Sequence, residues 1–498
     1  MPPNRMPASS GLNGDVQAMA KSDTRGTRAG AISRMEAYVD GGGFEDELAR
    51  RVAIRTESQK FPDASAIAEC HRYLAEEMAP AFAAMGFTSQ VYDNPIKGQG
   101  PVLLATRIED RSLPTVLGYG HGDVVRGMEE QWTKGEGPWV TARDGDKLYG
   151  RGTADNKGQH TINMAALKAV MDERGGKLGF NAKFMIETGE EAGSKGLKEL
   201  VKANATDFAA DVLIASDGPR VRQDRPTLSL GCRGAMNFDL VCDLREGGHH
   251  SGNWGGLIAN PGFLLAHALA SIVGRNGELL VEALKAPPAS AAVKEVLADV
   301  EIDGGSEGPQ VDAWWGEPGM RPAERVYAAN TFNILAFTTG TPGRPVNAIP
   351  PKAVANCQLR FVAGTDTSQI IPALEKHLAD HGHTLVKVLP PPAINDGTFG
   401  ASRIEPDHPW AMFVRGSIQR SSNAKPAVIP STGGSICNDI FTDDLGMPAI
   451  WIPHSYASCS QHWPDEHVLM PVIRSAAGLM AGIYWDIGEG RGVPGRQS

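Results

Sequence analysis

From residue 44 to about 85, apolar side chains return at helical spacing: Leu48, Val52 and Ile54, then Ile67, Leu74 and Met78. Residues three and four apart share one helix face, so this stretch is expected to be helical. At Val102 the pattern changes. Short apolar runs at 102–105 and 115–120 read as strands, and 156–171, with Ile162, Ala165, Ala166 and Val170 on one face, reads as a helix. A strand at 182–188, a helix at 195–202 and a strand at 212–215 continue the alternation. Strands alternating with helices predict an α/β sheet covered on both faces.

Near Thr227 the texture shifts. Strands at 228–230 and 236–241 precede a Gly-rich turn at 247–252. Asn260-Pro261 then opens a helix over 262–273; strands follow at 331–338 and 353–362, and a helix at 370–381. This pattern predicts an α+β block, residues 228–396, inserted into a first domain made of 31–227 and 397–498. Residues 1–30, rich in Gly, Ser, Asn, Arg and Pro and without an apolar core, read as a flexible tail and not as a signal peptide. Residues 304–329, with Trp314-Trp315, have no clear period; a loop of that length usually serves a function or is disordered. There is no internal repeat.

Composition narrows the possibilities. The chain has 498 residues, too many for one ordinary core. Its 48 basic against 58 acidic residues give a net charge of −10, which argues against a nucleic-acid partner. No apolar run approaches the ~20 residues of a membrane span, so a membrane role is not expected. Six scattered cysteines (Cys70, Cys232, Cys242, Cys357, Cys437 and Cys459) form no Cys-x-x-Cys pair. They suggest reduced thiols in a cytoplasmic protein.

The polar residues that interrupt this pattern carry the chemistry. His121 and Asp123 follow the strand at 115–120, Glu190 and Glu191 the strand at 182–188, and Asp217 the strand at 212–215. Ligands of open α/β sheets bind outside the carboxyl ends of the strands. Asp155 and His462 add one more carboxylate and one more imidazole. Buried charges are costly unless paired or bound to metal, so the set points to a hydrolytic site with two divalent ions. A bound divalent metal lowers the pKa of water from about 15.7 to about 7, and two ions roughly 3.5–4 Å apart can share water and substrate oxygen. His121 and His462 offer nitrogen; Asp155, Glu191 and Asp217 offer oxygen, with Asp155 placed to bridge. One glutamate of the adjacent pair can coordinate while the other shuttles protons. Asp123 would orient the imidazole of His121. Mixed nitrogen and oxygen donors suit zinc, and also manganese or cobalt. His160, on the helix after Asp155, reads as a packing residue. The Gly-Tyr-Gly-His-Gly run at 118–122 lacks the final glycine of a dinucleotide fingerprint.

Three motifs occur in order: His121-Gly122-Asp123, the 150–158 run Gly-Arg-Gly-Thr-Ala-Asp-Asn-Lys-Gly, and Glu187-Thr188-Gly189-Glu190-Glu191. Together they resemble the signatures of the M20 metallopeptidase family, across about residues 45–480. The chain length, Leu148-Tyr149-Gly150-Arg151-Gly152 and the His250-Ser251-Gly252-Asn253-Trp254-Gly255-Gly256 segment are most similar to the carnosinase-like branch. The family's metal-binding histidine matches His462, preceded here by Gln461 and followed by Trp463, with Glu466 four residues on. The stretch around Trp314 has no counterpart in the family pattern.

The resemblance implies a zinc-peptidase-like α/β catalytic domain with an inserted α+β, ferredoxin-like lid and dimerisation domain. It implies that Asp155 bridges two metals, that His121 and Asp217 complete one site, and that Glu191 and His462 complete the other. It makes Glu190 the general base and implies a cis Asp155–Asn156 bond. It places His250 in the partner subunit's active site as an oxyanion donor. Asn347 and Arg360 would belong to the lid motif that clamps a substrate carboxylate, and Gly434 and Ser435 to a loop touching the same group. The expected activity is hydrolysis of an amide bond beside a free carboxylate, foremost by a dipeptidase. The alternatives are an N-acyl-amino-acid hydrolase with the same metal site and, from another class, a non-catalytic binding relative.

Overall fold

The computed structural model describes residues 26–302, 310–390, 399–422 and 424–495. Arg28–Asp40 (α1) opens it. This helix buries one apolar residue per turn, Ala31, Met35 and Val39, a signal too sparse for the sequence reading, which expected a tail to residue 30 and helix only from residue 44. The Arg28 guanidinium ties it down, donating to Asp486 Oδ1 at 3.0 Å and Ser421 Oγ at 2.6 Å. Gly43–Val52 (α2) and Ala64–Arg72 (α3) follow, continued by helical turns to Ala84, as the apolar spacing predicts.

The chain then lays down Thr88–Tyr92 (β1), Val102–Arg107 (β2), Thr115–His121 (β3), Lys157–Glu173 (α4), Asn181–Glu187 (β4), Leu197–Ala203 (α5), Val212–Ala215 (β5) and Thr227–Ser229 (β6). A second set comes next: Gly234–Asp243 (β7), Pro261–Ile272 (α6), Ala291–Leu297 (α7), Pro322–Tyr327 (α8), Thr331–Thr339 (β8), Lys352–Phe361 (β9), Ile370–Asp380 (α9) and Val386–Leu389 (β10). Pro409–Ser421 (α10), Ala427–Ile429 (β11), Ala449–Trp451 (β12) and Met470–Glu489 (α11) return to the first set.

Eight strands form the large sheet, in the order β1-β2-β4-β3-β5-β12-β6-β11. Its central strands β4, β3, β5 and β12 run parallel to one another, while β2 pairs antiparallel with β4 and β6 antiparallel with β12. Alternate side chains enter two different cores. Val116 and Ile450 pack with residues of α1, α4 and α11, whereas Leu117 and Trp451 pack with Leu200 and Phe441 on the opposite face. The fold is thus the α/β sheet with helices on both faces that the alternation implied.

The second sheet has the order β8-β9-β7-β10 and is antiparallel. Helices α6 and α9 cover one face, where Phe238, Leu240, Leu265, Leu359 and Leu374 form a separate core. In β9 the residues Ala353, Ala355, Cys357, Leu359 and Phe361 are buried, while Asn356, Gln358 and Arg360 are only half-buried. A strand's period of two sends these polar residues to the other face.

Helices α7 and α8 escaped the sequence reading because both are short. Val293, Leu297, Ala323 and Ala328 pack with Ala427 and Ile429, which belong to β11 at the edge of the large sheet. Within the aperiodic 304–329 stretch, residues 304–309 lie outside the described residues. Trp314 and Trp315 meet edge-on with ring centroids 5.6 Å apart.

Candidate metal centre

Three strand ends assemble the site. β3 is parallel to both β4 and β5, with His121 opposite Glu187, so the chain leaves all three strands at one edge. His121 ends β3, Glu190 and Glu191 lie just beyond β4, and Asp217 just beyond β5. Asp155 arrives from the loop before α4, and His462 from the loop before α11.

Asp155 stands between the two imidazoles. His121 Nε2 is 2.9 Å from Asp155 Oδ1 and 3.7 Å from Asp217 Oδ2. His462 Nε2 is 2.9 Å from Asp155 Oδ2 and 3.2 Å from Glu191 Oε2. The two carboxylate oxygens of Asp155 therefore serve two triads, His121–Asp155–Asp217 and Asp155–Glu191–His462, each with donor atoms within 4.8 Å of one another. Glu190 belongs to neither; its Oε2 is 3.9 Å from His121 Nε2.

Without cations this arrangement is electrostatically unbalanced. Burial, then repulsion from Asp155, pushes Glu191 up to about 7 and Asp217 up to about 6. Burial raises Glu190 well above the ordinary carboxylate range. Hydrogen bonds to Asp155 and Glu191 lift His462 to about 11. Glu191 Oε1 is buried with no hydrogen-bond partner among the described residues. A buried anionic oxygen of this kind calls for a proton or a metal. Two divalent ions in the two triads would satisfy that oxygen and replace the protons, and the nitrogen and oxygen donors suit zinc, manganese or cobalt. The residues present fit the group.

Surrounding residues hold these donors in place. Asp123 is fully buried, and its carboxylate accepts the backbone N–H groups of Glu190 and Glu191 at 3.2 and 3.0 Å. His121 Nδ1 faces the Asp123 carbonyl at 3.1 Å and its Oδ1 at 3.6 Å, so Asp123 supports both the imidazole and the glutamate turn. Asn156 Nδ2 donates to the Ser216 carbonyl at 2.8 Å, and the Asp155–Asn156 bond is cis.

Glu466 is a supporting residue that the sequence motif displayed without revealing its task. It is 1% exposed and accepts from Arg151 Nη1 at 2.9 Å and from the backbone N–H groups of Gly152, Ala154 and Asp155 at 3.0, 2.9 and 3.0 Å. One carboxylate thereby shapes the loop that presents Asp155. Gln461, the departure just before His462, donates its side-chain amide to Asp155 Oδ2. His462 itself has φ 62°, in the left-handed region that a residue with a Cβ seldom adopts.

The centre opens into a cleft of about 1510 Å³ whose walls include Asp155, Glu190, Asp217, His462, Arg360, Gly434 and Ser435. Arg360 Nη1 donates to Ser435 Oγ at 2.8 Å, and Ser435 Oγ donates to the Arg233 carbonyl at 2.7 Å. The structure thus brings Arg360, Gly434 and Ser435 to the metal centre. His250 and Asn347 do not line this cleft. His250 is exposed on a two-residue strand, His249–His250, paired with Ala348–Ile349, and the Asn347 carbonyl accepts from Ser251 N at 2.9 Å. The other nearby histidines are engaged elsewhere: His454 Nε2 meets Ser216 Oγ at 2.8 Å and His160 Nε2 meets Tyr73 OH at 2.7 Å.

Comparison with known proteins agrees with this geometry. The family model described as "Peptidase family M20/M25/M40" matches residues 117–486. The cysteinylglycine-S-conjugate dipeptidase of Corynebacterium striatum is 26% identical over 376 residues, 74% of this chain and 79% of that protein. The beta-Ala-His dipeptidase of Rattus norvegicus is 34% identical over 210 residues, which cover 41% of this chain and 42% of that enzyme. The crystal structure of human carnosine dipeptidase 1 superposes with a TM-score of 0.71 at 23% identity, over 92% of this chain and 100% of that one. The M20 metallo-carboxypeptidase Sso-CP2 of Sulfolobus solfataricus gives 0.74 at 22% identity, over 90% and 99%. At these identities the two structures speak for the fold. With the family model spanning 370 of 498 residues (117 to 486), the chain belongs to peptidase family M20/M25/M40, a family of metallopeptidases.

Proposed function

We propose that this chain is a dipeptidase that removes a carboxyl-terminal residue from a dipeptide, using two metal ions, zinc foremost. The observation that carries this reading is the division of the Asp155 oxygens between two triads, beside an arginine–serine pair in the same cleft. His121, Asp155 and Asp217 would hold one ion; Asp155, Glu191 and His462 the other. When bound, the ions activate a water and polarise the scissile carbonyl. Arg360, with Ser435 and the Gly434 backbone, receives the substrate carboxylate; a planar guanidinium is suited to a bidentate grip. Glu190, left free by both triads and raised by burial, takes the proton from water and returns it to the departing amine.

The remaining parts follow from the same reading. Residues 31–227 with 397–498 act as the catalytic domain, and the sheet within 228–396 acts as a lid and a dimer contact. Support for the dimer is the free edge strand β8, which exposes Ile334, Leu335 and Phe337. Buried free cysteines agree with a reducing, cytoplasmic setting. Among the described residues no helix is long and apolar enough to cross a membrane.

The test is amine release, followed by mass spectrometry, from a panel of dipeptides and N-acyl amino acids with Zn²⁺ or Mn²⁺ added. Cleavage mainly of dipeptides, lost with chelator and in Glu190→Gln, supports the reading. Cleavage mainly of acylated amino acids transfers the same metal roles to an N-acyl-amino-acid hydrolase.

A further inference from the structure

The cleft-facing side of the second sheet carries a hydrogen-bonded ladder that the metal centre does not use. Arg360 Nε donates to Gln358 Oε1 at 2.9 Å, and Gln358 Nε2 donates to Asn237 Oδ1 at 3.0 Å. One step further, Asn356 Nδ2 donates to Asp239 Oδ1 at 2.7 Å. Asp239 lies opposite Asn356 in the β7/β9 register, four residues along the strand from Arg360, or about 13 Å at ~3.3 Å per residue. The Arg360 side chain leans toward Gln358 and so shortens the gap.

Asp239 and Asn356 line a side pocket of about 760 Å³ that also reaches Glu190, Glu191, Ser435 and His462. Among the described residues its only other carboxylates are Glu190 and Glu191. Asp239 is half-buried, is held by Asn356, and forms no ion pair among the described residues. Among the described residues the one lysine on the pocket wall, Lys195, is exposed, so solvent screens its charge. The pocket shares Glu190, Ser435 and His462 with the larger cleft, so a substrate with its carboxylate on Arg360 and Ser435 and its scissile amide at the metals has this pocket open to the side chain of its last residue. A half-buried, unpaired and pinned carboxylate there complements a positive charge.

Resting on the amide-hydrolase reading above, we propose that Asp239 selects substrates whose carboxyl-terminal residue is lysine or arginine. The test compares kcat/KM of the metal-loaded full chain for Ala-Lys against Ala-norleucine and Ala-Arg against Ala-citrulline, with the same four residues as N-acetyl derivatives. The wild type should prefer the cationic member by roughly tenfold to a hundredfold, the span of one charge-assisted hydrogen bond. Asp239→Asn, which keeps the acceptor for Asn356, should bring both ratios toward one. Wild-type ratios near one, or ratios unchanged in the variant, overturn the proposal. If the variant does not fold, the arginine–citrulline ratio of the wild type decides alone. Cleavage of only the acetyl series would change the acyl-side assignment and leave this pocket's test intact. Cleavage of neither series refutes the amide-hydrolase reading. Calorimetry with free lysine and norleucine then tests the pocket, with equal affinities overturning it.

Discussion

The metal centre and the substrate-facing ladder of the second sheet use polar side chains in opposite ways. At the centre the donors come from five separate segments, the end of β3 and four stretches beyond strands or before helices, and buried groups hold them. Glu466 grips residues 151–155, and Asp123 grips the Glu190–Glu191 turn. On the ladder, Asn237, Asp239, Asn356, Gln358 and Arg360 lie on two adjacent strands, are half-buried, and are aligned by the pleat itself. The first region is over-determined from outside. The second is placed by secondary structure and adjusted by single hydrogen bonds. Loss of one group should therefore be severe in the first region and graded in the second.

The largest effect is expected at Glu190. Glu190→Gln removes the proposed proton carrier and leaves both triads complete, so kcat should fall by about 10²–10⁴, the usual contribution of a general base. Metal content measured by atomic emission should stay at the wild-type value; loss of metal together with activity would make Glu190 a ligand instead. Next comes Glu466→Ala. It leaves the Arg151 guanidinium, 0% exposed, without its carboxylate. Breaking a buried pair on one side costs about 3–5 kcal/mol. Denaturant unfolding should show that loss, and the surviving folded fraction should bind metal more weakly because Asp155 loses the cradle of its loop. A change under about 1 kcal/mol would mean that the loop is held by other contacts.

These two residues also show what a sequence discloses. The Glu190–Glu191 pair was legible because it sits just past a strand-like run and offers two tasks, while the choice of Glu190 as the base came from the family resemblance. His121, Glu191 and Asp217 share that signal, whereas Asp155 lay in the 150–158 motif and His462 was marked by the family resemblance, four residues before Glu466. Glu466 was visible in the motif but not its work, because its partners lie 311–315 residues away and nothing local marks a loop glutamate as buried. Asp239 and Gln358 were hidden for another reason. Polar residues alternating with apolar ones in a strand read as a solvent face, and only the opposed large-sheet wall turns that face into a cleft. The whole of α1, α7 and α8 was missed where the apolar period was sparse or the helix short. The packing of α7 on β11 is a tertiary contact with no local sequence signature.

The ladder supplies the smaller effects. Arg360→Lys keeps the charge but loses the planar fork and the paired contacts to Ser435 and Gln358. A hydrogen bond to a charged group is worth about 1.5–3 kcal/mol, so kcat/KM should fall about tenfold to a hundredfold, mainly through KM. A fall in kcat alone, with KM unchanged, would move Arg360 from carboxylate binding to the reacting centre.

Gln358→Ala tests the graded behaviour most directly. Gln358 touches neither triad, yet it is the link between Arg360 and Asn237. Its removal leaves Arg360 anchored to Ser435 alone, with its Nε turned toward water in the cleft. Because that nitrogen is re-solvated and not stranded in a dry core, the loss should stay near the net value of a single hydrogen bond, about 0.5–1.5 kcal/mol. KM should therefore rise about two- to tenfold, with kcat and the unfolding midpoint close to wild type. A hundredfold loss, or a drop in stability like that expected for Glu466→Ala, would mean that the ladder is as tightly determined as the metal centre, and the contrast between the two regions would fail.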